Sequence, residues 1–139
     1  MHSIHIHLAN LLITSLLITF LIGLFIIIKN SSNSKVYKIF LLVSMILSHI
    51  QLIFGGLNWW HLYSQIDSFS MGDEVARIRL IEHPIIMVLS IILISYSYIL
   101  FKKKPDSIKT KYMITSLYAI AIFLILFIVH RMTGNLFPW

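Results

Sequence analysis

Four continuous apolar runs, separated by polar connections, dominate the chain at about residues 6–28, 36–57, 80–101 and 113–130. Each is close to the roughly 20 residues an α-helix needs to cross about 30 Å of hydrocarbon. The runs are apolar throughout rather than alternating, which excludes a β-barrel. The pattern predicts an all-α fold, an integral membrane four-helix up-down bundle forming a single four-span domain over residues 1–139.

Composition agrees. The chain is 58% hydrophobic and 12% charged, with a mean hydropathy of +0.89, far above that of a soluble domain. It has no Cys, which removes disulfides, thiolate metal sites, iron–sulfur clusters and covalent c-type heme attachment. A net charge of +6 could point to nucleic acid, but the basic residues flank the apolar runs and read as topology signals instead. The first run has no basic stretch before it and no small-residue cleavage site after it, so it reads as a span rather than a cleaved signal peptide.

The connections KNSSNSKVYK (29–38) and KKKPDSIKTK (102–111) hold eight lysines, against Arg77, Arg79 and Arg131 on the other side. This bias predicts both termini on the outer, periplasmic side of a bacterial cytoplasmic membrane. The connection at 58–78 is the longest. Its Trp59, Trp60, Tyr63 and Phe69 read as an interfacial belt, and 71–79 as a short surface helix.

Against this background the histidines stand out: His2, His5, His7, His49, His61, His83 and His130. At about 1.5 Å per residue from the lysine-bearing ends, His49 lies roughly 20 Å up, His83 and His130 roughly 26 Å, and His7 roughly 32 Å. All four occupy the outer half of the bilayer. His2 and His5 fall at or beyond the interface, and His61 in the outer connection. Imidazoles at membrane depth are costly and mark function by default.

Helical faces refine the set. His7, Asn10 and Thr14 form one polar stripe, with His5 off it. His83 shares a face with Met87, Ser90 and Ser97. Ser44, Ser48, Gln51 and Gly55 share another, with His49 beside it; Gly55-Gly56 admits a close helix or a flat cofactor. Spans one and three are diagonal in an up-down bundle, as are two and four, and diagonal helices suit two axial ligands facing each other across a macrocycle. His7 with His83 is the preferred axial pair, His49 the first substitute and His5 the second. His49 with His130 is the other diagonal pair. Arg77, Arg79 and Arg131 suit heme propionates.

Plainer roles stand beside these. Glu82-His83-Pro84 is also an ordinary helix start. His49 could make an interhelical hydrogen bond with Gln51 nearby, worth about 1 kcal/mol. His7 could be interfacial, and His130 could share a headgroup or propionate contact with Arg131. The His2–His7 arm could bind metals promiscuously. Hydrolase motifs, broken transporter helices and phosphate-cradling loops are absent from the sequence.

His5-x-His7, Ser48-His49-Ile50-Gln51-Leu52-Ile53-Phe54-Gly55 and Glu82-His83-Pro84-Ile85-Ile86-Met87 together resemble small four-helix bacterial membrane proteins labelled as b-type cytochromes. His130 and Arg131 lie outside that pattern. A more distant similarity is to one half of heme A synthase, where heme lies between His residues two helices apart with a Gln-x-x-Leu-Gly-like stretch between them. Gln51-Leu52-Ile53-Phe54-Gly55 would be that stretch, which favours His7 and His83; the synthase's oxidative chemistry is not implied. The resemblance implies heme b, one or two per chain, and an electron carrier rather than an enzyme, since bis-His ligation leaves no open site. Implied partners are a quinol or respiratory-complex subunits, in a homo-oligomer or larger complex within the lipid bilayer, and no nucleic acid. Two other functions stay open: a cofactor-free accessory or assembly subunit, and a membrane protein holding copper, zinc or iron through its histidines.

Overall fold

A computed structural model describes residues 2–29, 34–65 and 72–134 of the chain. These form four long helices, with no strand among the described residues. They are α1 (His2–Lys29), α2 (Ser34–Tyr63), α3 (Glu74–Lys103) and α4 (Ile108–Thr133). By length and composition each can cross a membrane, so this is a multi-pass membrane protein.

α1 packs on α2 and α4, and α3 packs on the same two helices, which leaves α1 diagonal to α3 and α2 diagonal to α4. The start of α1 meets the last part of α2, and the end of α4 meets the start of α3, so neighbours run antiparallel. The start of α1 and the end of α4 therefore lie toward one end of the bundle, called here the terminal end. Lys29, Lys35, Lys102 and Lys103, at the other ends of the helices, mark the opposite, lysine end.

Lipid tails are as apolar as Leu, so burial alone does not hold such helices together; close packing and interhelical hydrogen bonds must. The apolar residues divide accordingly. Leu21, Phe25, Ile53, Ile85, Ile92 and Phe123 point outward, while Leu12, Leu16, Leu41, Ile94, Ile114 and Ile128 fill the interior. Ser44 Oγ lies 2.8 Å from Thr19 Oγ1 and 3.1 Å from Ser15 Oγ, joining α1 to α2 through hydroxyls. Gly23 sets the closest approach: a Cβ there would lie 2.6 Å from Thr115 Oγ1 and 3.0 Å from the Tyr37 hydroxyl.

Two elements differ from the sequence reading. α2 runs on past residue 57 to Tyr63. The expected surface helix at 71–79 is instead the beginning of α3. Asp73 caps it, its Oδ1 accepting the N–H groups of Val75 at 3.0 Å and Ala76 at 3.1 Å. The helix then passes through a wide π turn, Ile78–Glu82, into His83–Lys103. In the fold Glu74 pairs with Arg131 and Arg77 with Glu82. Met71 and Phe69 lie outside the described residues.

Gly23→Ala is expected to lower stability by about 1–3 kcal/mol, overpacking outweighing the ~1 kcal/mol of helix propensity that alanine adds. Gly56→Ala meets nothing within 4 Å and should leave stability unchanged or slightly raised. Thermal unfolding of both variants in detergent, followed by helical circular dichroism, ranks them. Equal midpoints would show that Gly23 is not a packing contact.

Candidate functional site: a diagonal histidine pair

Local chain chemistry sets the position of His83. In an α-helix the Leu80 carbonyl would accept the N–H of residue 84, but that residue is Pro84 and has none. The missing donor comes from α2, where Trp59 Nε1 gives its proton to the Leu80 carbonyl at 2.8 Å. The Trp59 ring also stacks on Tyr63, with centroids 5.5 Å apart. Trp60 is exposed, as an interfacial residue should be, whereas Trp59 is a structural tie. In the π turn just before this point the His83 N–H bonds to the Ile78 carbonyl, five residues back.

His5 comes to the site from the diagonal helix. Gln51 Nε2 donates to His5 Nδ1 at 3.0 Å and to the His5 carbonyl at 3.1 Å, fixing both the ring and its backbone. Gly55, one turn beyond Gln51, faces the same ring: a Cβ there would lie 3.2 Å from His5 Cε1. The His5 and His83 rings meet edge to face, with centroids 6.3 Å apart and an interplanar angle of 85°. His83 Nδ1 is buried and has no hydrogen-bond partner among the described residues, and the same is true of Gln51 Oε1. Unspent polar atoms in such a place are costly and call for a ligand or water.

A charge cluster flanks the pair. Arg77 Nε donates to Glu82 Oε1 at 3.0 Å; Arg131 Nη2 donates to Glu74 Oε1 at 3.1 Å and lies 3.7 Å from Glu82 Oε2. Residues five apart sit about 140° apart around an ordinary α-helix. The π turn, with its i→i+5 bonding, brings Arg77 and Glu82 to one side. Glu82 thus joins the start of α3 to the end of α4, immediately before His83.

The other expected site residues lie elsewhere. His7, His49 and His130 are exposed on the bundle exterior, and the His49 ring donates from Nδ1 to the Met45 carbonyl of its own helix at 2.7 Å. His61 is also exposed and pairs with Gln65. Arg79 is exposed, away from the Glu82 cluster that Arg77 and Arg131 join. His2 opens α1, and its side chain is outside the described set. On α1 the interior position thus belongs to His5 rather than His7, which lies about 200° around the helix from it. The signal for this was present: His5 is seven residues before Leu12, on the face that continues through Leu16, Thr19 and Gly23.

Set beside known proteins, the chain matches no family model, no curated protein and no solved structure.

Trp59→Phe keeps an aromatic ring but removes the indole donor to the Leu80 carbonyl, and should cost about 1–3 kcal/mol. Pro84→Ala supplies a backbone N–H for that carbonyl, so the loss should shrink when Trp59→Phe is made in a Pro84→Ala background. Unfolding midpoints of the two singles and the double decide it. An undiminished loss in the double would mean that Trp59 acts through packing alone.

Proposed function

We propose that the chain is a b-type heme protein of the membrane that carries electrons, with His5 and His83 as the axial ligands. The observation that carries this reading is the 6.3 Å separation of the two ring centroids across the bundle diagonal. Two imidazoles brought together from diagonal helices would suit the paired histidine ligands of a b-type heme. Heme, when bound, supplies a one-electron couple, and two histidines leave it no open coordination site.

The chain's own residues would do the rest. Gln51 holds the His5 ring, its Nε2 lying 3.0 Å from Nδ1 and 3.5 Å from Nε2 of the imidazole. Its carboxamide serves either state of the ring, since the NH2 donates to a bare Nδ1 and Oε1 accepts from a protonated one. Gly55 keeps the backbone of α2 clear of the His5 ring. Arg77 and Arg131, which now share Glu82, are the cations within reach for propionates. A bare copper, zinc or iron ion is less well served: among the described residues no three His, Cys, Asp or Glu side chains converge, and such ions ordinarily take three or more.

One observation favours a second reading. The His5 ring is already packed against Gly55 and bonded to Gln51, and it meets His83 directly. Such a closed polar contact suits a cofactor-free accessory subunit whose histidines lock α1, α2 and α3 together. In either case the lysine bias argues for a lysine end in the bacterial cytoplasm and a terminal end outside, with quinol or respiratory-complex subunits as the natural partners of an electron carrier.

Purified full-length protein should show a b-type α-band in its reduced-minus-oxidised spectrum. His5→Ala and His83→Ala should each abolish it, while His7→Ala, His49→Ala and His130→Ala should retain it. A colourless protein that folds normally would leave the accessory-subunit reading. Orientation is read separately: alkaline phosphatase fused at the C-terminus should be active, and a fusion within the 29–38 connection inactive. The reverse pattern would invert the topology.

A further inference from the structure

Polar side chains do not stop at the histidine pair. Ser48 and Ser44 lie one and two turns from Gln51 on the same face of α2, and all three are buried. Ser44 Oγ meets Thr19 Oγ1 and Ser15 Oγ on α1. One turn further along α1, the missing side chain of Gly23 makes room for Thr115 Oγ1 and the Tyr37 hydroxyl, which both face that space. The hydroxyl of Tyr118, wholly buried, lies near Ser44 and Tyr37. Thr115 Oγ1 donates to the Lys111 carbonyl at 2.9 Å, and Lys111 is itself buried near the lysine end. From His5 to Lys111, polar groups follow one another through the length of the core.

Hydroxyls are common in membrane helices, and most of these also bond back to their own helix, as Ser44 does to Phe40, Ser48 to Met45 and Thr115 to Lys111. That economy would make them interhelical glue. Tyr118 breaks it. Its hydroxyl has no hydrogen bond of acceptable geometry among the described residues, although it lies in the middle of the core. Gln51 Oε1 and His83 Nδ1, at the terminal end of the same file, are also unspent. Glue has no reason to leave such atoms open, because each carries its full desolvation cost. A path that admits water does.

We propose that this file conducts protons through the bundle, between Lys111 at the lysine end and the His5–His83 pair at the terminal end. Water bridges the intervals of about one helical turn, roughly 5 Å. Each hydroxyl receives a proton from one neighbour and passes its own to the next, and each imidazole takes a proton at one nitrogen and releases one from the other. Nothing is consumed, and the driving force is the proton gradient itself. The function does not depend on heme and applies equally to a cofactor-free subunit.

The test is proton flux into vesicles containing the purified full chain. An internal pH-sensitive dye reports uptake while a potassium gradient and valinomycin set the potential. Wild type should acidify the lumen faster than protein-free vesicles do. Tyr118→Phe removes one oxygen and keeps the ring, so it should fold as wild type yet lose most of the flux. Thr19→Val combined with Ser44→Ala should reduce flux to the protein-free rate. Tyr112→Phe, on the exterior of the same helix, should conduct as wild type. Wild-type flux no greater than that of empty vesicles would overturn the proposal. So would a folded Tyr118→Phe protein conducting at the full rate.

Discussion

In hydrocarbon every backbone donor and acceptor has to be satisfied within the protein, and one carbonyl, that of Leu80, organises the terminal end of this bundle. Pro84 takes away the donor an α-helix would have provided. Trp59 replaces it from a neighbouring helix at 2.8 Å. To present that indole, α2 must continue beyond the length that crossing the hydrocarbon requires, and it runs to Tyr63. The same stretch of α3 widens into the π turn, which turns Arg77 and Glu82 to one side and brings Glu82 within reach of Arg131. His83 follows directly, so its place depends on how a proline's missing N–H is made good.

The opposite wall of the site depends on the rotation of α1. Packing interactions, rather than water exclusion, select that rotation. Gly23 permits close contact with Thr115 and Tyr37, while Ser15 and Thr19 seek Ser44. With those contacts made, the inward face carries Leu12 and Leu16, and His5 lies on its extension toward the terminal end. Gln51 then captures both the His5 ring and its carbonyl. These contacts sit along one face, so the site and the middle of the core share a single constraint.

The spans, their approximate limits and the diagonal relation of the first and third were all legible in the sequence, because a long uninterrupted apolar run has few other meanings. The face His83 shares with Ser90 and Ser97 was legible. The turn that supports His83 was not, since a π turn and a side-chain donor to a backbone carbonyl leave no periodic trace. Choosing between His5 and His7 required knowing which stripe of α1 turns inward. The stripe His7, Asn10, Thr14 is the more visibly polar. The inward one is marked instead by a glycine and small hydroxyls spaced among leucines, a weaker pattern in a helix that is apolar all round.

That contrast says something about how chemistry is placed in a lipid-embedded bundle. In a soluble helix a polar stripe turns to water, and its opposite face builds the core. Here most exterior positions face lipid and carry large apolar side chains, so exposure and polarity no longer go together. Small size becomes the better guide to the interior: Gly23, Ser15, Ser44, Ser48, Ser90 and Ser97 are all buried. His5, Gln51 and His83 extend those small-residue faces toward the terminal end. Changing the size of a residue in the middle of the core should therefore disturb the histidine pair without touching it, because both depend on how α1 is turned.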